Sequence, residues 1–162
     1  YLVEERATLL RERIRLRVIG RRDGIPPSVQ EAMDRTMAMT AAHDGLTLCL
    51  AINYGARGEL CDAVRSIAEQ VRRGTLAPNE IDEACIDRNL YTADMPEPDL
   101  LVRTAGEMRF SNYLLWQISY AEFWVTPRCW PEFREADLHA AIRDYAGRNR
   151  KFGGLNESDL DD

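Results

Sequence analysis

After a charged, helix-like run over residues 4–13, the period changes. Residues 14–20 alternate apolar and charged positions and stop at Gly20, which predicts a strand. Pro26 and Pro27 open the next element. Val29, Met33, Thr36, Met37 and Thr40 then fall on one face of a helix. Residues 46–52 are almost uniformly apolar, the pattern of a strand buried on both faces in a parallel sheet. A long helix is predicted over 57–73, ended by Gly74, and a shorter one after Pro78. Residues 99–103 predict a strand, and a helix is expected to start near Ser111. Residues 122–126 predict another strand and 136–148 the last helix.

Strands alternating with helices imply right-handed crossovers. The expected class is therefore α/β, with a mostly parallel sheet flanked by helices on both faces. No internal repeat and no long linker interrupts the chain. Residues 1–155 are expected to form one domain. Residues 156–162 are acidic and polar, and are expected to be a disordered tail.

Composition narrows the ligand. The 162 residues carry a net charge of −6, so no overall basic field exists to attract nucleic acid. An anionic ligand must be held by a local cluster of arginines. No apolar run approaches the roughly 18–20 residues that span a bilayer, and no signal peptide is visible, so a cytoplasmic location is expected. Cys49, Cys61, Cys85 and Cys129 form no CxxC pair, as expected of reduced thiols. His43 and His139 are the only histidines and have no metal-site spacing. The chain starts at Tyr1 inside a helical run with no capping signal, as expected of a piece whose start lies upstream.

Ligands of open parallel sheets bind beyond the carboxyl ends of the strands. That selects residues 20–22, 53–57 and 103–107, each containing Arg and Gly. The last is the most informative. Arg103 ends a strand, Gly106 permits a tight turn, Arg109 follows in the loop, and Ser111 can cap a helix. Two guanidinium groups, a hydroxyl and helix-start N–H groups, including those of Phe110 and Ser111, suit a phosphate or diphosphate. The alternative is that Arg103 and Arg109 are structural ion-pair partners of Glu107 and Glu122. Glu122 could also offer a carboxylate to Mg²⁺, which favours one or two carboxylates plus substrate oxygens. The turn at Asn53 to Arg57 could position a substrate group or be purely structural.

The motifs resemble the cis-prenyltransferase family of the bacterial undecaprenyl diphosphate synthase type. NYGAR at 53–57 is similar to the family's NYGGR turn. DLLVRTAGEMRFSNYLLWQ at 99–117 is similar to its DLLIRTSGExRxSNFLLWQ signature. YAE at 120–122, WPEF at 130–133 and RNRKFGG at 148–154 resemble downstream elements of the family. The resemblance implies an enzyme that condenses isopentenyl diphosphate with an allylic diphosphate, farnesyl diphosphate being expected. The implied product is a long cis-polyprenyl diphosphate, an undecaprenyl diphosphate-like lipid carrier for cell-wall synthesis. It implies Arg103, Arg109, Phe110 and Ser111 as binders of isopentenyl diphosphate, with Glu122 in a Mg²⁺ site. Asn53, Arg57 and Glu107 would support them.

The family's DGNGRW motif, with its catalytic aspartate, does not occur in this sequence. By resemblance the chain therefore holds one diphosphate site, lacks most of the other, and is expected to be inactive alone. A homodimer and transient membrane contact are also implied. A different class of reading is a non-catalytic partner subunit of such an enzyme; a third is a generic α/β phosphate-binding domain.

Overall fold

A computed structural model describes residues 4–149. The chain forms two compact units, Tyr1–Met95 and Pro96–Asp162. Its parallel strands and helices give an α/β fold.

In the first unit the order is α1 (Arg6–Arg11), β1 (Arg15–Ile19), α2 (Pro27–Thr40), β2 (Thr47–Ala51), α3 (Ala56–Arg72) and α4 (Glu83–Asn89). β1 and β2 pair in parallel, from Arg15 opposite Thr47 to Ile19 opposite Ala51. α2 packs on β1, with Met33, Thr36 and Thr40 buried. The buried threonines are not idle on that apolar face. The Thr40 hydroxyl donates to the Thr36 carbonyl at 2.9 Å and accepts the Leu16 N–H at 3.0 Å. That satisfies a hydroxyl removed from water, and it pins the helix to the strand. α3 ends as its sequence predicts. Gly74 takes φ +71°, its N–H reaches the Val71 carbonyl, and the Thr75 N–H reaches that of Gln70, both at 3.0 Å.

β2 departs from expectation. Leu46, Leu48 and Ile52 share one parity, hence one face, and are 67%, 38% and 38% exposed. Among the described residues β2 pairs with β1 alone, and α2 covers β1. A uniformly apolar strand therefore does not gain cover on both faces from this unit.

The second unit holds β3 (Leu100–Arg103), β4 (Glu122–Val125) and α5 (Glu135–Ala146). β3 and β4 are parallel, with Leu100 opposite Glu122 and Arg103 opposite Val125. α5 packs on β4. The helix expected from Ser111 is not formed; residues 111–120 make a series of turns. Ser111, Asn112 and Leu114 have φ of 49°, 59° and 44°. A helix needs φ near −63°, and Ser and Asn side chains compete for the backbone groups a helix would use.

No helix among the described residues is long and apolar enough to cross a membrane. The expected tail at 156–162, and residues 150–154 of the family-like ending, lie outside the described residues.

Candidate functional site

The loop after β3 builds the densest cluster of candidate residues. Ala105 and Gly106 both take left-handed φ, 61° and 66°. Their N–H groups donate to the Arg128 carbonyl at 2.7 Å and the Thr126 carbonyl at 2.9 Å. The chain is thereby folded back beside the end of β4, and Glu107 is returned toward Arg103. Arg103 Nη2 donates to Glu107 Oε2 and, at 3.1 Å, to Ser111 Oγ. Arg109 Nη2 donates to Glu107 Oε1 at 2.5 Å. Two guanidinium groups thus hold one carboxylate, and the Ser111 hydroxyl accepts from one of them.

The electrostatics follow from that arrangement. Burial acts to raise the Glu107 pKa, but the Arg103 hydrogen bond and the Arg109 charge outweigh it, so the carboxyl stays below its ordinary value. Arg103 Nε is buried and has no hydrogen-bond partner. A buried charged donor without an acceptor is costly, and an anion with more oxygens than a carboxylate could satisfy it. Phe110 is half exposed, with its ring 5.5 Å from that of Phe123. The helix-start N–H cradle expected at Phe110 and Ser111 is absent, because the left-handed φ values leave no helix there. The donors come from side chains instead.

Glu122 is not part of this cluster. It begins β4 opposite Leu100, whereas Arg103 lies at the other end of the strand pair. Three strand steps separate the two levels, roughly 10 Å. Glu122 Oε2 accepts Arg148 Nη1 at 2.7 Å. The same nitrogen also donates to the Phe123 carbonyl at 3.1 Å, and Arg148 Nη2 reaches Asp144 at 2.5 Å. Of the structural pairings the sequence allowed, those with Glu107 form and those with Glu122 do not; Glu122 pairs with Arg148 instead. Among the described residues no group of three or more His, Cys, Asp or Glu converges to hold a metal ion. One carboxylate already engaged by a guanidinium does not make a Mg²⁺ site by itself.

Asn53 and Arg57 belong to the first unit. Asn53 takes φ 49° after β2. Its Nδ2 donates to the Arg21 and Asp23 carbonyls at 3.1 and 2.9 Å. The loops that follow β1 and β2 are therefore tied together. Arg57 is exposed near the start of α3.

Sequence reasoning missed the network behind this turn. Glu59 is 1% exposed; its carboxylate accepts the Tyr54 hydroxyl and, at 2.8 Å, the Tyr91 N–H. Asp62 accepts Arg21 at 2.8 and 2.9 Å, Arg65 at 2.7 Å, and the Tyr91 hydroxyl. Arg21 foremost, with Tyr91, lowers the Asp62 pKa to about 2. The available signal was a charged residue on the inner face of α3, since Glu59 precedes buried Ala63 by one turn.

A family model described as "Putative undecaprenyl diphosphate synthase" matches residues 1–153. An isoprenyl transferase of Rhodopirellula baltica is 50% identical over 96% of this chain and 64% of its own length. Another, of Heliobacterium mobile, is 45% identical over 96% of this chain and 60% of its own length. The chain thus spans about three fifths of these curated relatives. Among solved structures, lavandulyl diphosphate synthase of Lavandula x intermedia, in complex with dimethylallyl diphosphate, superposes with a TM-score of 0.88. It is 37% identical, over 94% of this chain and 68% of that one. A probable undecaprenyl diphosphate synthase of Campylobacter jejuni gives a TM-score of 0.79 at 33% identity, over 94% and 69%.

Proposed function

Because the chain belongs to the undecaprenyl diphosphate synthase family, whose curated members here are named isoprenyl transferases, we propose that it serves a cis-prenyltransferase, with the Arg103 cluster as the site for isopentenyl diphosphate. The acceptor is an allylic diphosphate such as farnesyl diphosphate, and the product a long cis-polyprenyl diphosphate. The relatives' names give the partner-subunit alternative no support.

One observation carries the reading. Arg103 and Arg109 converge on a point that already holds an anion, the Glu107 carboxylate; the Ser111 hydroxyl stands beside it on Arg103, and Arg103 Nε remains unpartnered. A diphosphate presents oxygens in several directions, so it can meet both guanidinium forks and the free Nε–H together. The work of these residues is binding and orientation. Fixing the diphosphate end of the substrate holds its carbon chain in one direction, which converts a bimolecular encounter into a positioned one. Phe110, packed on Phe123, offers an apolar edge beside the charged cluster.

Mg²⁺ dependence, a homodimer and transient membrane contact belong to the same proposal for a chain of the relatives' length. Bound Mg²⁺ would supply charge neutralisation for the leaving diphosphate. Glu122 is the carboxylate nominated for it, but it is paired with Arg148 and stands at the far end of the strand pair.

The test is calorimetric binding of isopentenyl diphosphate to this chain. Arg109→Ala should weaken binding about tenfold, the worth of one charge-assisted contact of roughly 1.5 kcal/mol. An unchanged Kd would remove Arg109 from the site. Elongation with labelled isopentenyl diphosphate and farnesyl diphosphate, in a chain of the relatives' length, then tests the activity.

A further inference from the structure

We propose that Glu107 is a built-in competitor for the anion at this site: its carboxylate occupies the position of the ligand, and binding requires it to leave. The inference rests on the reading of the Arg103 cluster as a diphosphate site.

Three observations support displacement rather than a permanent staple. First, Glu107 takes the very N–H groups that the ligand needs. Oε2 holds Arg103 Nη2 and Oε1 holds Arg109 Nη2. Second, the fit is incomplete. A carboxylate has two oxygens, and both are used, yet the buried Arg103 Nε has no acceptor. Third, the pair has a route out. Glu107 keeps 34% of its side chain exposed and Arg109 67%, so the carboxylate can rotate into water without uncovering a core. The turn that delivers Glu107 is held by backbone bonds from Ala105 and Gly106 to the end of β4. It can therefore persist while the side chain moves.

The consequence is selectivity. An incoming anion must displace one full negative charge and replace two charge-assisted contacts. A carboxylate or a monophosphate gains little over the resident group. A diphosphate, with more charge and a wider span, reaches both arginines and Nε. Glu107 would therefore reject weak anions and hasten release of the tight one, because it rebinds as the ligand departs.

The experiment uses the chain with inorganic pyrophosphate, inorganic phosphate and isopentenyl diphosphate as probes, read by calorimetry. Glu107→Gln keeps the shape and removes the charge. A competitor predicts that it binds pyrophosphate about tenfold more tightly, the loss of two partly exposed ion pairs. It also predicts that discrimination between pyrophosphate and phosphate shrinks. A staple that merely orients the arginines predicts the opposite sign. Unchanged or weaker pyrophosphate binding, with Arg109→Ala still weakening it, overturns the competitor and leaves the site standing. No binding by the parent chain, and none by Glu107→Gln, overturns both. Glu107→Ser serves as a second uncharged variant, and a thermal melt of each confirms that the fold is intact.

Discussion

Replacing Gly20 by Ala tests how tightly the two strand-end loops of the first unit are locked. Gly20 takes φ +114°, and a Cβ there would lie 2.0 Å from the Ile52 carbonyl oxygen, 3.1 Å from its carbon and 3.2 Å from Tyr54 Cβ. The first cost is conformational, about 1–3 kcal/mol for an L-residue in so sparse a region. The second is steric. Ordinary contact begins at 3.4 Å, so the neighbouring backbone must retreat by 3.4 − 2.0 = 1.4 Å. That retreat breaks the Ile52 N–H bond to the Ile19 carbonyl (2.9 Å) and the Arg21 N–H bond to the Asn53 carbonyl (3.3 Å). Each is worth about 1 kcal/mol net. The total is about 3–5 kcal/mol, a large share of a typical 5–15 kcal/mol stability. Gly74→Ala is the internal control. Its φ is +71° but no atom lies within 4 Å of the added carbon, so only about 1 kcal/mol is expected. Urea unfolding followed by far-UV circular dichroism measures both, and hydrogen exchange at the Ile52 and Arg21 amides localises the loss. If Gly20→Ala costs no more than Gly74→Ala, the close approach of the two loops is refuted.

Two further outcomes follow from the network behind the same turn. Asp62 has its pKa lowered to about 2 from an ordinary 3.8, so the unfolded chain binds the proton more readily; the resulting stability is present above pH 4 and lost as pH falls through 2. Asp62→Asn should flatten the slope of stability against pH in that window, and an identical slope in both proteins would exclude the Arg21 and Tyr91 contacts as its cause. Glu59→Ala should destabilise the first unit by about 2–4 kcal/mol, since it leaves the Tyr54 hydroxyl and Tyr91 N–H without their buried acceptor; Glu59→Gln, which keeps an acceptor, should cost less, and equal costs would argue that volume rather than hydrogen bonding matters there.

Much of the fold was legible because periodicity reports burial directly. The strands at β1 to β4 and the helices α2, α3 and α5 appear where the apolar spacing and the punctuating Pro and Gly place them. Two failures have separate causes. The apolar run of β2 reported a preference for cover, not the cover itself, which depends on what packs against Leu46, Leu48 and Ile52. The helix at Ser111 was inferred from a capping residue followed by apolar spacing. Left-handed φ at Ser111, Asn112 and Leu114 is a backbone choice that residue types other than glycine rarely announce. The network around Glu59 and Asp62 was illegible for another reason. Tyr91 meets α3 from 29 and 32 residues away, and no local pattern encodes such a contact.

In the candidate site one continuous motif spans both ends of a strand pair. Arg103 and Glu122 stand 19 positions apart in one recognisable stretch, which invites reading them as one half-site. Yet both flank a parallel crossover, and a parallel crossover must carry the chain back to the end at which the first strand began. A residue ending the first strand and a residue starting the second therefore face opposite ends of the sheet, as Arg103 and Glu122 do. That separation was already implied once 99–103 and 122–126 were read as parallel strands. The loop between them is different: Glu107, Arg109 and Ser111 all fall within eight residues of Arg103, before the chain turns back; Glu107 and Ser111 meet Arg103 directly, and Arg109 joins through Glu107. Sequence distance to the strand end, rather than membership of the motif, decides which charges share the Arg103 cluster. On that ground Arg148, the partner of Glu122, belongs with the amino end of β4, and Glu107 with the carboxyl end of β3.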